Sequence, residues 1–108
     1  MAIKTYIIGR SKQADIIIDE TETSVSNLHL ELTIDSKGKY YITDRKSTNG
    51  SYRKHGGRWI PIEQSYVSSD DRLLLGKYLT SVEYLLSNHS IKAARNPETG
   101  DIIAAGIS

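Results

Sequence analysis

A fixed cation, small hydroxyl and amide donors, and glycines recur at three places along this chain: Gly9-Arg10, Ser26-Asn27-Leu28-His29, and Asp44-Arg45-Lys46-Ser47-Thr48-Asn49-Gly50. Side chains of these types suit one task, the holding of a tetrahedral oxyanion. Arginine presents a planar fork of donors that matches a phosphate edge, serine and threonine present hydroxyls, and asparagine presents an amide. A phosphate monoester near neutral pH carries roughly one to two negative charges and three acceptor oxygens. Several donors and at least one permanent cation must therefore converge on it. Arg10 is the first choice for the cation, because a guanidinium bonds directionally and keeps its charge.

Such a site needs rigid elements to carry its loops, and the chain supplies short apolar runs with strand periodicity. Ile3, Tyr6, Ile7 and Ile8 end at Gly9, and Ile16-Ile17-Ile18 lies between Asp15 and Asp19. Leu28, Leu30, Leu32 and Ile34 alternate with His29, Glu31 and Thr33, the pattern of a half-buried strand. Asp35-Ser36-Lys37-Gly38 provides turn chemistry, and Lys39 to Thr43 returns as the hairpin partner. Gly56-Gly57 marks a later turn before Trp59, Ile60 and Ile62; Leu73-Leu74-Leu75 stops at Gly76, and Tyr78 to Leu86 reads as a long last strand. No apolar stripe at helical spacing is sustained over three turns. The expectation is an all-β fold, a β-sandwich, with residues 1–86 as the domain and 87–108 as a linker or disordered tail.

The 108 residues suffice for one domain. No cysteine is present, which excludes a disulfide framework and thiol catalysis and argues against structural zinc. No apolar run approaches the length of a membrane span, and a cytoplasmic location is expected. The net charge of +1 conceals a local excess, for residues 45–58 hold Arg45, Lys46, Arg53, Lys54 and Arg58 without a single acid.

In order and spacing, the three fragments resemble the forkhead-associated (FHA) domain over about Ile3 to Leu86. The resemblance implies a sandwich of two mostly antiparallel sheets with binding loops at one end, and a non-catalytic module that reads phosphothreonine in partner proteins. Arg10, Ser26, Asn27, Thr48 and Asn49 match the family's phosphothreonine-binding positions, with Lys46 and Ser47 as additional phosphate contacts. Gly9, His29 and Gly50 match its structural supports, His29 by tying the loops together. Asn27 stands where many members carry arginine, which leaves more of the charge to Arg10 and Lys46. Asp70 replaces a glycine in the late signature Asp70-Asp71-Arg72-Leu73-Leu74-Leu75-Gly76, at a turn away from the site. The implied partners are a phosphothreonine-containing protein or peptide and a Ser/Thr kinase or its substrates. A monomer without cofactor, metal or membrane partner is expected. Selectivity beyond the phosphate stays open, since Asp19, Glu20 and Glu22 would repel an acidic neighbour that Arg53, Lys54 and Arg58 would attract.

Two rival functions can be weighed on the residues. Ser26, His29 and Asp44 invite comparison with a hydrolase triad, but the Gly-x-Ser-x-Gly elbow is missing, and two residues three apart on a strand would point to opposite faces. Nucleic-acid binding is the alternative, resting on the basic and aromatic segment 45–59, where Tyr52, Arg53, Lys54, His55, Arg58 and Trp59 could stack on and neutralise a single strand.

Overall fold

A computed structural model describes residues 3–88, 93–95 and 102–104. Among these residues eleven strands form two sheets. The larger has the order β11 (Ile102–Ala104), β10 (Ala93–Arg95), β1 (Lys4–Gly9), β3 (Leu30–Ile34), β4 (Tyr40–Asp44), β7 (Gln64–Val67), with β2 (Ile16–Ile17) paired parallel to β1. The smaller has the order β6 (Arg58–Pro61), β5 (Ser51–His55), β8 (Leu73–Leu75), β9 (Tyr78–Thr80). Every pairing except β1 with β2 is antiparallel. This is the two-sheet sandwich that the alternating apolar runs require.

The inward positions of both sheets interdigitate. Ile8, Leu30, Leu32 and Ile42 from the larger sheet meet Leu73 and Leu75 from the smaller, all essentially inaccessible to water. Each such side chain contributes about 1.5–3 kcal/mol by leaving water. Val25 and Ile18 join the same core from the long loop between β2 and β3, so that loop is anchored from beneath.

Two parts of the fold differ from the sequence expectation. The anticipated strand Tyr78–Leu86 ends at Thr80, and a helix, α1 (Val82–Asn88), follows. The Ser81 hydroxyl accepts the Tyr84 amide at 3.1 Å, an N-cap, and Val82 and Leu85 are buried three residues apart. Seven residues are too few to display a sustained helical period. Strands β5 and β7 also carried no clear apolar pattern, because mostly polar Ser51–His55 and edge strand Gln64–Val67 bury only Ser51 and Val67. Within 87–108, Ser87 and Asn88 end α1, β10 pairs with β1 (Thr5 beside Arg95) and β11 with β10. The other residues of the segment expected as a linker or disordered tail lie outside the described residues.

Candidate functional site

Three loops meet at one end of the sandwich, and hydrogen bonds through the backbone hold them there. Beyond β1, Arg10 N–H donates to Ser26 O at 3.2 Å and Ser11 N–H to Asn27 O at 3.0 Å. The two segments run so close that Gly9 has no space for a Cβ, which would collide with the Asn27 carbonyl. The carboxylate of buried Asp15 accepts Ile7 N–H at 2.8 Å and turns the loop back onto β1. Arg10 is thus delivered beside Ser26. Its Nε donates to Val25 O at 2.5 Å and its Nη1 to Glu20 O at 3.4 Å, which orients the guanidinium along the second loop.

His29 joins the second loop to the third. Its Nδ1 accepts Ser26 N–H at 2.9 Å. An amide can only donate, so Nδ1 carries no proton, and the neutral ring bears its hydrogen on Nε2. That hydrogen is given to Gly50 O, also at 2.9 Å. The ring is fully buried, and burial pushes its pKa below the ordinary value despite the Gly50 bond and the Asp44 carboxylate 3.8 Å away, which favour the cation. Gly50 has φ +82°, which suits a residue without Cβ, and its carbonyl also accepts Gly76 N–H at 2.8 Å.

The third loop is braced by Asp44. One carboxylate oxygen accepts the hydroxyls of Ser47 at 2.5 Å and Ser51 at 2.6 Å, and the other accepts Ser47 N–H at 3.0 Å. Burial alone would raise its pKa, but these donors and nearby His29 together hold it below the ordinary carboxylate range. Ser47 therefore spends its hydroxyl donor on the Asp44 carboxylate. Thr48 N–H donates to Ser26 Oγ at 3.0 Å, and Asn49 Nδ2 donates to Ser24 O at 2.9 Å. Thr48, Asn49 and Asn27 are exposed at the surface of this junction. Lys46 has φ +52° and borders a separate depression with Thr43, Glu63 and Gln64.

The structure thus brings Arg10, Ser26 and Thr48 together, with Asn27 and Asn49 alongside, over a frame of Gly9, His29 and Gly50. Ser26 Oγ receives the Thr48 amide and keeps its own proton to donate. A triad is not formed. Ser26 and His29 lie in the loop before β3 rather than on opposite faces of a strand, and both ring nitrogens are occupied by backbone groups. Among the described residues no base is hydrogen-bonded to the Ser26 hydroxyl.

A hollow of about 510 Å³ adjoins Asn49, lined by Thr23, Ser24, Tyr52, Gly76 and Lys77 as well. Sequence reading missed this group. Ser24 holds it together, since its hydroxyl accepts Lys77 N–H at 2.8 Å and its carbonyl accepts Asn49. A side chain on Gly76 would strike Ser24 O. The one available signal was a Gly-Lys pair closing the Leu73–Leu75 run. In the basic segment, Arg45 pairs with Glu31 at 3.1 Å, Arg53 lies 3.9 Å from Asp71, and the Lys54 ammonium sits 5.6 Å over the Trp59 ring. These cations are distributed over several surfaces and do not form one strip.

A sandwich whose loops converge on one arginine and several hydroxyl and amide groups defines the FHA class of module. Consistent with this, the FHA domain family model matches residues 6–76, and the chain belongs to that family. Among solved structures, the chain is similar to the FHA domain of CT664 from Chlamydia trachomatis, at 35% identity and TM-score 0.60, over 70% of this chain and 72% of that one. It is also similar to the FhaA FHA domain solved with the intracellular domain of Rv3910, at 29% identity and TM-score 0.57, over 68% and 72% of the two chains. The N-terminal FHA domain of S. cerevisiae Rad53p, solved with a phosphothreonine peptide, shares the fold at 23% identity and TM-score 0.53, over 68% of this chain and 57% of that one. No curated protein matches the chain.

Proposed function

We propose that this chain is a non-catalytic module that binds phosphothreonine peptides of partner proteins in Ser/Thr-kinase signalling or regulated assembly. The observation that carries the reading is the junction of three loops at Ser26. Its hydroxyl oxygen takes the Thr48 amide, and the Arg10 guanidinium is anchored one residue away on Val25 O. A phosphoryl group seated there meets a permanent cation, the Ser26 and Thr48 hydroxyls and the Asn27 amide. Asn49, fixed on Ser24 O, stands beside the path of the peptide backbone. Two related FHA domains were solved with a partner domain or a phosphothreonine peptide, which supports the same use here. Among the described residues no helix is long and apolar enough to cross a membrane; the module is proposed to act in the cytoplasm.

Micromolar affinity is expected, about −8 kcal/mol, because a few charge-assisted bonds of about 1.5–3 kcal/mol each must offset the ordering of the peptide. Calorimetric titration with a library of phosphothreonine peptides, with phosphoserine and unmodified controls, tests the proposal. Binding that is indifferent to the phosphate would end it.

A further inference from the structure

The smaller sheet turns Leu73 and Leu75 into the core, so the alternate positions of its strands look outward. In register across all four strands those positions form one row, with Pro61 beside Tyr52, Tyr52 beside Leu74, and Leu74 beside Leu79. Trp59 stands next to the row, opposite Lys54. Leu79 is 57% exposed and Trp59 37%. A contiguous apolar strip on a surface marks an interaction site more often than a scatter of single apolar residues does.

The charge of this face is one-sided. Lys54 projects from it, and exposed Arg72 lies alongside, its carbonyl accepting Lys54 N–H at 2.9 Å. None of the outward positions of β5, β6, β8 and β9 carries a carboxylate. The face also continues into the hollow beside Asn49, because Tyr52 belongs to both and donates its hydroxyl to Asn49 O at 3.2 Å. Lys77, two residues before Leu79, lines the same hollow.

We propose that the outer face of the four-stranded sheet is a second docking surface for the phosphorylated partner, taking an acidic segment with apolar side chains that continues from the phosphothreonine. The inference rests on the phosphopeptide reading above. Cations without acids select an acidic ligand, the exposed row selects apolar side chains, and continuity with the hollow selects the same chain. From Tyr52 to Leu79 is two strand spacings, about 10 Å, which about three extended residues span. Once the phosphothreonine is seated, the segment docks at high effective concentration.

The test uses two phosphothreonine peptides in calorimetric titration of the full chain. One has only alanine and serine around the phosphothreonine; the other adds an eight-residue extension of Asp, Glu and Leu, made in separate versions on each side. The extension on one side is expected to tighten binding about tenfold. Lys54→Glu combined with Leu79→Glu, both at exposed positions, should erase that gain and leave the affinity of the plain peptide unchanged. No gain from either extension, or a gain that survives in the double variant, overturns the proposal. If the plain phosphopeptide itself fails to bind, the phosphopeptide reading falls first and takes this one with it. Capture of anionic vesicles or single-stranded DNA through the same face, without a peptide gain, assigns it to another ligand and likewise overturns the proposal.

Discussion

Gly9 and Asn27 approach so closely that the Cα hydrogens of the one are all that separate it from the carbonyl of the other. The contact sets the spacing between the loop that carries Arg10 and the loop that carries Ser26. Gly9→Ala must push them apart. The expected cost is about 1–3 kcal/mol of stability, as for other overpacked sites, together with weakened phosphopeptide binding. Chemical denaturation and calorimetry on the same variant check both.

Arg10→Ala should cost at least about 2 kcal/mol of binding, because the phosphoryl group would lose its charged partner. Arg10→Lys should recover only part, since an ammonium lacks the fork. The Nε and Nη1 bonds to Val25 and Glu20 carbonyls also give Arg10 a structural share. Folding stability should therefore fall by about 1 kcal/mol in Arg10→Ala, readable as a lower melting temperature.

Ser26 and Thr48 should not be equivalent. Thr48→Ala removes one hydroxyl donor, about 1 kcal/mol of binding. Ser26→Ala removes a donor and also the acceptor that positions the Thr48 amide, so its loss should be larger, about 2 kcal/mol. Equal losses in side-by-side titrations would contradict this division of roles.

The pH dependence follows from His29 and Asp44. The pKa of His29 is lower folded than unfolded, so the unfolded chain binds protons first as pH falls. Stability from the neutral ring is complete above about 6.5 and is lost progressively as pH falls toward the folded-state pKa. Asp44, also lowered, adds a second loss below about 3.9, the unfolded value. Melting temperatures recorded from pH 8 to 3 should show both phases. His29→Gln should flatten the first, and His29→Ala, which leaves Ser26 N–H without its acceptor and a cavity in the core while Gly50 O keeps only the Gly76 amide, should cost about 3 kcal/mol at pH 7.

Much of the candidate site was legible because its residues lie in short local fragments. Arg10, Ser26, His29, Thr48 and Asn49 each sit in a fragment whose residue types suit an anion site, and backbone and side-chain bonds bring those fragments to one end of the sandwich. What the chain did not disclose depends on contacts between distant segments. Ser24 matters because Lys77, fifty-three residues on, donates to it, and no spacing rule connects the two. Ser47 reads as a free hydroxyl until it is seen to donate its hydrogen bond to Asp44. The strands β5 and β7 were obscured for a similar reason. Each packs mainly through its backbone and a partner strand, so side-chain alternation carried little trace of them. The helix α1 was hidden by brevity.

The flank of β1 turned away from β3 is shared, with β2 paired near its end at Ile8 and Gly9 and β10 near its start at Thr5. Cutting the chain after residue 86 would therefore bare the backbone groups beside Thr5, near the start of the strand that ends in the arginine loop. Such an open margin recruits foreign strands. The shortened piece should self-associate in sedimentation experiments while the full chain does not, and the β10–β11 pair would then count as the seam that keeps the module single.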